Sequence, residues 1–460
     1  MNQPRQTAEQ TRTLGAFVAG LTFGSLPTRV AAQAGDVILD TLGCCIAAWT
    51  EDPDKAAIAT KLAGTFRADP VALIWGSRGV RTDAGLAALA NGILANAADY
   101  DDTHKRALLH TGSVIVPVVL ALAEEKRLTG RQVLTAIVAG YEVAVRVGMT
   151  VMPSHYRFWH STATNGTFGA AASAASALGL DAERATFALG FAGTQAAGLN
   201  TFFSYGDFTK SLHPGKAALN GVISARLAAI GATSPPTMIE HDKGYARAYS
   251  ENPDMAAPTR GLGTDWEILQ NGFKWFPSIL ASHAPIQATL DIVIGNDVAP
   301  AEIDFITNET YATVKSHFSN KAVDTPMGAR VSVPYCVAIA AMDRQVGQAQ
   351  FAPERVRDPA VRDLLARTET VADPELTKLY PDKFPARVTI GLKDGRRLTE
   401  TRYFPKGDPQ EPLTPGEIEA KFLNNATGRI SATAAREVVR LVRELQAADD
   451  LSRLFALLAG

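Results

Sequence analysis

The sequence predicts two domains, a large all-α-helical one and a smaller α+β one inserted before the last helices. Three observations carry this expectation. The chain has 460 residues, more than a single hydrophobic core usually supports. Apolar residues recur at three- and four-residue spacing through residues 8–250, the signature of helices with one buried face. After about residue 270 the pattern changes to β-branched and alternating residues.

In chain order, the helical spacing is visible in Leu14-Val18-Leu21, in Ala31-Val37-Ile38-Leu42 and in Val133-Leu134-Ile137-Val138-Tyr141. Breaks fall at Pro27, Pro53, Asp69-Pro70, Gly130, Pro153 and Pro235-Pro236. The segments between them are rich in Ala and Gly, which let helices approach closely. Glu142 and Arg146, four apart in a largely apolar helix, read as a partly buried structural pair. Residues 303–314 mix Ile, Phe, Thr, Tyr and Val as a strand does. Val388, Ile390 and Leu392 alternate with Arg387, Thr389 and Gly391 before Asp394-Gly395, and the chain returns through Leu398 and Tyr403. That is a hairpin signal. Residues 332–343 and 358–367 look helical. From Thr414-Pro415-Gly416-Glu417 onward helical spacing resumes through Ile418-Phe422, Val438-Leu441 and residues 451–458. The expected boundaries are residues 1–270 for the first helical part, 271–408 for the α+β domain, and 409–460 for helices returning to the first domain.

Composition narrows the function. Apolar residues make up 46% and charged residues 20%, ordinary for a globular protein. A formal net charge of −2 argues against nucleic acid as a partner. The chain has three cysteines, two of them adjacent at Cys44-Cys45, which is neither a disulfide framework nor a zinc spacing. Met1-Asn2-Gln3-Pro4-Arg5-Gln6 has no basic region leading into an apolar one. The longest uncharged stretch worth testing as a membrane span, residues 161–180, is punctuated by Ser, Thr, Asn and Gly. The expectation is a cytoplasmic protein with no membrane partner.

Chemistry concentrates at Asp99-Tyr100-Asp101-Asp102-Thr103-His104 with His110, which place three carboxylates and two imidazoles within a dozen residues. Acid–base work around an organic substrate is one reading. A solvated helix end, with Asp102 or Thr103 capping a helix that begins near Thr111, is another. A metal held by Asp99, Asp101 and His104 is a third, without a distant partner motif to support it. His110 and His160 each precede the start of a helix, where the local dipole disfavours the protonated ring and a neutral imidazole can relay a proton. Lys210-Ser211-Leu212-His213-Pro214-Gly215 also opens a helix, and Lys210 with His213 forms a candidate carboxylate-binding corner. Tyr335 is either a core aromatic or a phenol aimed at the other domain. Trp275 and Phe276, beside Lys274, read as packing residues.

These segments, in this order, resemble the MmgE/PrpD family, which includes 2-methylcitrate dehydratases, cis-aconitate decarboxylases and iminodisuccinate epimerases. The resemblance spans nearly the whole chain and rests on Asp99-Tyr-Asp-Asp-Thr-His, His110, Gly140-Tyr-Glu-Val, His155-Tyr-Arg-Phe-Trp-His160, Lys210-Ser-Leu-His-Pro-Gly215 and Ser332-Val-Pro-Tyr-Cys-Val337. It implies that the α+β domain is a lid, that the site lies in a cleft, that the protein is a homodimer, and that it needs no organic cofactor. It places acid–base roles on Asp101, His110, His160, Lys210, His283 and Tyr335. Asp99, Thr103, Tyr156, His213 and Lys274 are expected to bind substrate beside them, without a metal. Asp101-Asp102 and His110-Thr111-Gly112-Ser113 depart from the Asn and the His-Pro-Ser-Asp-Asn expected of a 2-methylcitrate dehydratase. The implied activity is a lyase, a dehydratase or decarboxylase of a small di- or tricarboxylate such as 2-methylcitrate or cis-aconitate. The alternatives are an epimerase of an amino-dicarboxylate, with Tyr156 and Lys210 flanking one carbon, and a non-catalytic helical binding protein.

Overall fold

The computed structural model describes residues 9–205 and 207–460; the N-terminal hexapeptide read above for a leader lies outside the described residues. The chain divides into two compact units. The first comprises residues up to 97, 101–271 and 414–460, and the second comprises 98–100 and 272–413.

The first unit is helical because its sequence is punctuated as helices require. Asp52 caps the helix Pro53–Gly64 by accepting from Lys55 N–H, and proline occupies its first turn. Asp83 caps Ala84–Ala95, whose twelve residues are all buried. Thr129 and Gln132 form a reciprocal capping box at the start of Gly130–Val151. Small residues then set the crossings. A Cβ on Gly92 would stand 2.8 Å from Cα of Gly215, so Ala84–Ala95 and Thr209–Ala229 meet backbone to backbone. The helix Ser161–Ala177 packs against Gly130–Val151 in the same way, through Gly169 and Gly140. A short hairpin, β1 (Ala72–Leu73) with β2 (Arg81–Thr82), is the sheet structure of this unit among the described residues.

Two helices are long and apolar enough to cross a membrane, Thr28–Glu51 and Gly130–Val151, and both are mostly buried within the protein. They, rather than residues 161–180, meet that test. Cys44 and Cys45 are free thiols buried in the first of them.

The second unit carries a four-stranded sheet of β3 (Ile303–Thr310), β4 (Thr368–Ala372), β5 (Ala386–Leu392) and β6 (Arg397–Arg402), in the order β4-β3-β5-β6. β3 pairs parallel with β4 and antiparallel with β5, and β5 and β6 form the hairpin expected around Asp394-Gly395. Gly395 has φ +92°, a conformation side chains resist. The strand expected over residues 303–314 stops at Thr310, and Ala312–His317 is a helix. Helices Leu280–Gly295 and Val333–Asp343 pack on each other and on the sheet.

Candidate active site

The acidic segment is not solvated. Asp99, Asp101, Asp102 and His104 are each at most 1% exposed, so every charge there needs a partner. Asn96 Nδ2 donates to both carboxylate oxygens of Asp101, at 3.0 and 2.9 Å. Asp102 accepts from Gly112 N–H at 2.8 Å, Tyr141 O–H at 2.5 Å and Asn271 Nδ2 at 2.7 Å. Asp102 does cap the helix that follows, Gly112–Lys126, but from a buried position ten residues upstream. Burial and the neighbouring Asp40 push its carboxyl up to about 7, against the pull of Tyr141. His104 lies 3.3 Å from Glu267, and burial holds its ring below the ordinary histidine range. Arg106, the exposed cation of the loop, lies 3.8 Å from Glu267 on the wall of a cavity of about 520 Å³ that Arg29 and Arg260 also line.

His110 has a defined tautomer. Its Nδ1 is 3.1 Å from the Asp102 carbonyl, 3.4 Å from Asp101 Oδ1 and 3.3 Å from Thr103 Oγ1. A carbonyl and a carboxylate only accept, so Nδ1 carries the proton. The neutral ring therefore presents Nε2 as a base, and the protonated ring presents Nε2–H as an acid.

His160 ends the preceding loop and stands at the N-cap of Ser161–Ala177, where its N–H donates to the Gly198 carbonyl at 3.0 Å. Its Nδ1 is 2.9 Å from Nδ1 of His213, on the Thr209–Ala229 helix. Phe202 stacks edge-on against both rings, and the His110 ring centroid is 6.3 Å from that of His160. Three imidazoles expected to share a site are thus neighbours in one unit. Lys210, half-buried, precedes His213 by three residues, which places the two on one helix face. Tyr156 is half-buried, with its carbonyl accepting from Asn200 and its ring edge-on to Phe203.

The other expected site residues have defined partners within their own units. His213 is expected to form a carboxylate-binding corner with Lys210; burial, with Lys216 second, lowers it to about 4, so its ring is neutral. It orders His160 rather than supplying charge to a carboxylate. Lys274 and Asp99, expected to hold substrate, are an ion pair at 2.5 Å in which both side chains are 2% exposed. The Lys274 ammonium also donates to the Asp99 carbonyl at 2.8 Å. Tyr335 is fully buried and donates its hydroxyl to the Gln350 carbonyl at 2.6 Å, which makes it a core aromatic of the α+β unit. His283 is fully buried in the same unit, edge-on to Phe276, with Nε2 3.3 Å from the Ser278 carbonyl. Glu142 and Arg146 are a pair as expected, and wholly rather than partly buried.

Sequence reasoning passed over two groups. Tyr141 and Asn271 hold Asp102 across 39 and 169 residues of chain, which no local pattern signals. His155, one residue before Tyr156, accepts at Nε2 from Thr164 O–H at 2.8 Å and donates at Nδ1 to the Tyr249 carbonyl at 3.2 Å. Burial lowers it to about 4.

Comparison with known proteins places the chain in a family. The MmgE/PrpD N-terminal domain matches residues 12–257 and the MmgE/PrpD C-terminal domain matches residues 276–447. The chain is 26% identical to human cis-aconitate decarboxylase, over 98% of this chain and 94% of that protein. It is 27% identical to a cis-aconitate decarboxylase-like protein of Aspergillus oryzae, over 98% and 97% of the two. Cis-aconitate decarboxylase of Aspergillus terreus is 26% identical, over 96% and 94%.

Proposed function

Because the chain belongs to the MmgE/PrpD family, we propose that it is a cofactor-independent lyase releasing CO2 from a small unsaturated tricarboxylate of the cis-aconitate kind. The observation that carries this reading is the gathering of His110, His160 and His213, the last two joined by one Nδ1–Nδ1 hydrogen bond, near the half-buried Lys210. The curated relatives named above support decarboxylation over dehydration, as does the absence of the 2-methylcitrate dehydratase pattern at Asp101-Asp102.

The chemistry is an allylic shift. The bond from the saturated carbon to its carboxylate breaks, and its electron pair forms a new double bond to the central carbon. The electrons of the original double bond take a proton at the far carbon. Negative charge builds on the carboxylate conjugated to that carbon, so a cation belongs beside it and an acid beside the carbon. Lys210 supplies the cation. His110 is the acid in its protonated form: Asp101 and the Asp102 carbonyl hold Nδ1–H, Nε2–H gives its proton to the far carbon, and the ring is left as the neutral Nδ1–H tautomer. The His160–His213 pair positions the substrate and holds a further exchangeable proton. The homodimeric state implied by the resemblance and the cytoplasmic location expected from the sequence belong to the same proposal, and light scattering checks the dimer.

Proton NMR of the purified protein with cis-aconitate in deuterated water is the direct test. The expected product is methylenesuccinate with one deuterium on its saturated carbon. Unchanged cis-aconitate, together with conversion of 2-methylcitrate to an unsaturated acid, would move the assignment to dehydration. Solvent exchange at an sp³ carbon of an amino-dicarboxylate without loss of mass would move it to epimerisation.

A further inference from the structure

We infer that Asp102 is a positioning residue for His110, clamping both ends of its turn so that the imidazole is held as the Nδ1–H tautomer. The inference rests on the reading of His110 as an acid–base group.

Asp102 acts through two separate atoms. Its main-chain carbonyl accepts from His110 Nδ1 at 3.1 Å. Its side chain, through Oδ1, accepts from the N–H of Gly112, two residues past His110, at 2.8 Å. The helix Gly112–Lys126 has no capping bond from its own N-cap residue, Thr111, so this remote carboxylate takes that place. The fit is tight: a Cβ at Gly112 would stand 2.7 Å from Asp102 Oδ1 and 2.5 Å from Thr41 Oγ1. The other carboxylate oxygen is fixed by Tyr141 and Asn271. The main-chain N–H of Asp102 bonds to Asp40, which is paired with Lys421 at 2.6 Å. The clamp is therefore anchored on three long-range contacts while His110 hangs from it. Its work is done by hydrogen-bond geometry and not by net charge.

That distinction gives the test. Asparagine at 102 keeps an oxygen for Gly112 N–H, and its amide donates to Tyr141 and to Asn271. The Oδ1 of Asn271 has no hydrogen-bond partner among the described residues and would receive that bond after an amide flip. Alanine keeps none of this. The experiment uses full-length protein labelled with ¹⁵N-histidine, long-range proton–nitrogen correlation to read each tautomer, and a His110→Gln sample to assign the His110 signals. Wild type should show His110 protonated at Nδ1. Asp102→Ala should show a tautomer mixture and turnover of cis-aconitate lowered about 100-fold, the lower end of a general acid's contribution, with KM little changed. Asp102→Asn should restore the tautomer and most of the turnover. Should Asp102→Ala fail to fold, Tyr141→Phe removes one anchor while keeping the carboxylate, and should give a tautomer mixture and a smaller loss of turnover.

An unaltered His110 tautomer and turnover in Asp102→Ala, or in Tyr141→Phe where that variant stands in, would overturn the inference. So would Asp102→Asn as impaired as Asp102→Ala, since charge would then be the requirement. Wild-type turnover in His110→Gln would instead refute the acid assignment, and the tautomer measurement would still decide the clamp.

Discussion

Nδ1 of His160 and Nδ1 of His213 lie 2.9 Å apart, so these two rings share one proton. Two bare nitrogens would repel, and two N–H groups cannot meet at that distance. One ring donates from Nδ1 and leaves its Nε2 bare while both stay neutral, and the other accepts at Nδ1 and carries its proton on Nε2. The pair thus offers one acceptor and one donor outward, and the two roles exchange when the bare Nε2 takes up a proton, the shared proton crosses and the other ring gives up its Nε2–H. His213→Phe preserves the packing against Phe202 but removes the partner. Turnover should fall by about 100-fold, as for the loss of an oriented acid–base group, while the thermal midpoint moves little. Steady-state kinetics on cis-aconitate check this, and unchanged kcat would leave His160 working alone.

Gly198 is a second handle on the same pair. It has φ +151°, and a Cβ there would stand 2.3 Å from the Ala163 Cβ and 3.2 Å from His213 Nε2. Gly198→Ala should displace the loop that receives the His160 N–H and lower turnover with His213 still present. A crystal structure of this variant with the 2.9 Å contact intact and full activity would contradict it.

The fold was largely legible because its signals are local. Helical spacing, caps such as Thr129 with Gln132, and the Asp394-Gly395 turn all act within a few residues. The turn at Thr310 was missed because Tyr311, Ala312 and Val314 continue the strand-like composition while the chain has already turned into a helix. At the site, residue types were legible and partners were not. The sequence marks Asp99 and Lys274 as charged and near active-site motifs, and only the fold pairs them across 175 residues. Likewise nothing local distinguishes a cationic His213 from a neutral one; burial decides it.

His155 should give the protein a pH-dependent component of stability. Burial lowers its ring from 6.5 to about 4 in the folded state. Between those values the unfolded chain binds a proton that the folded chain refuses, so this contribution is complete above about pH 6.5 and is lost as pH falls toward 4. The size is on the order of 3 kcal/mol, from 1.36 kcal/mol per unit. Asp102 and Glu142, both raised to about 7 by burial, act in the opposite direction over that range. Whole-protein melting alone would mask the effect. The stability difference between wild type and His155→Gln should instead shrink as pH drops from 7 to 4, as denaturant titrations at several pH values would show. A constant difference would mean that His155 takes up its proton at the same pH folded as unfolded.

Arg146 closes a buried network whose loss should be costly. Its guanidinium donates to Glu142 at 3.2 Å, to the Asp265 carbonyl at 2.5 Å and to the Arg260 carbonyl. Both side chains of the pair are 0% exposed. Arg146→Ala would strand Glu142 and the carbonyls of the 260–265 loop, and breaking such a pair typically costs about 3–5 kcal/mol. Denaturant unfolding should show a loss of that order, and Glu142→Gln a smaller one because its amide still accepts from Ile268 N–H. A loss below about 1 kcal/mol for Arg146→Ala would indicate that water reaches the network.

Lys210 separates a catalytic helix start from an ordinary one. It is half-buried near the start of Thr209–Ala229, three residues before His213. If its ammonium faces the carboxylate on which charge builds as CO2 leaves, its interaction strengthens in the transition state. Lys210→Ala should then lower kcat by about 100- to 1000-fold, the usual loss for one preorganised donor. Lys210→Arg should rescue poorly, because a longer planar fork places its charge elsewhere in a fitted site. A lysine that merely decorates the helix predicts near-normal kinetics for both variants and a stability change within about 0.5 kcal/mol. Kinetics on cis-aconitate distinguish the two, with binding of a non-reacting saturated tricarboxylate measured alongside by calorimetry. Retained affinity with collapsed turnover assigns Lys210 to the transition state, and loss of both in proportion assigns it to uniform substrate binding. Wild-type turnover in Lys210→Ala would remove it from the site.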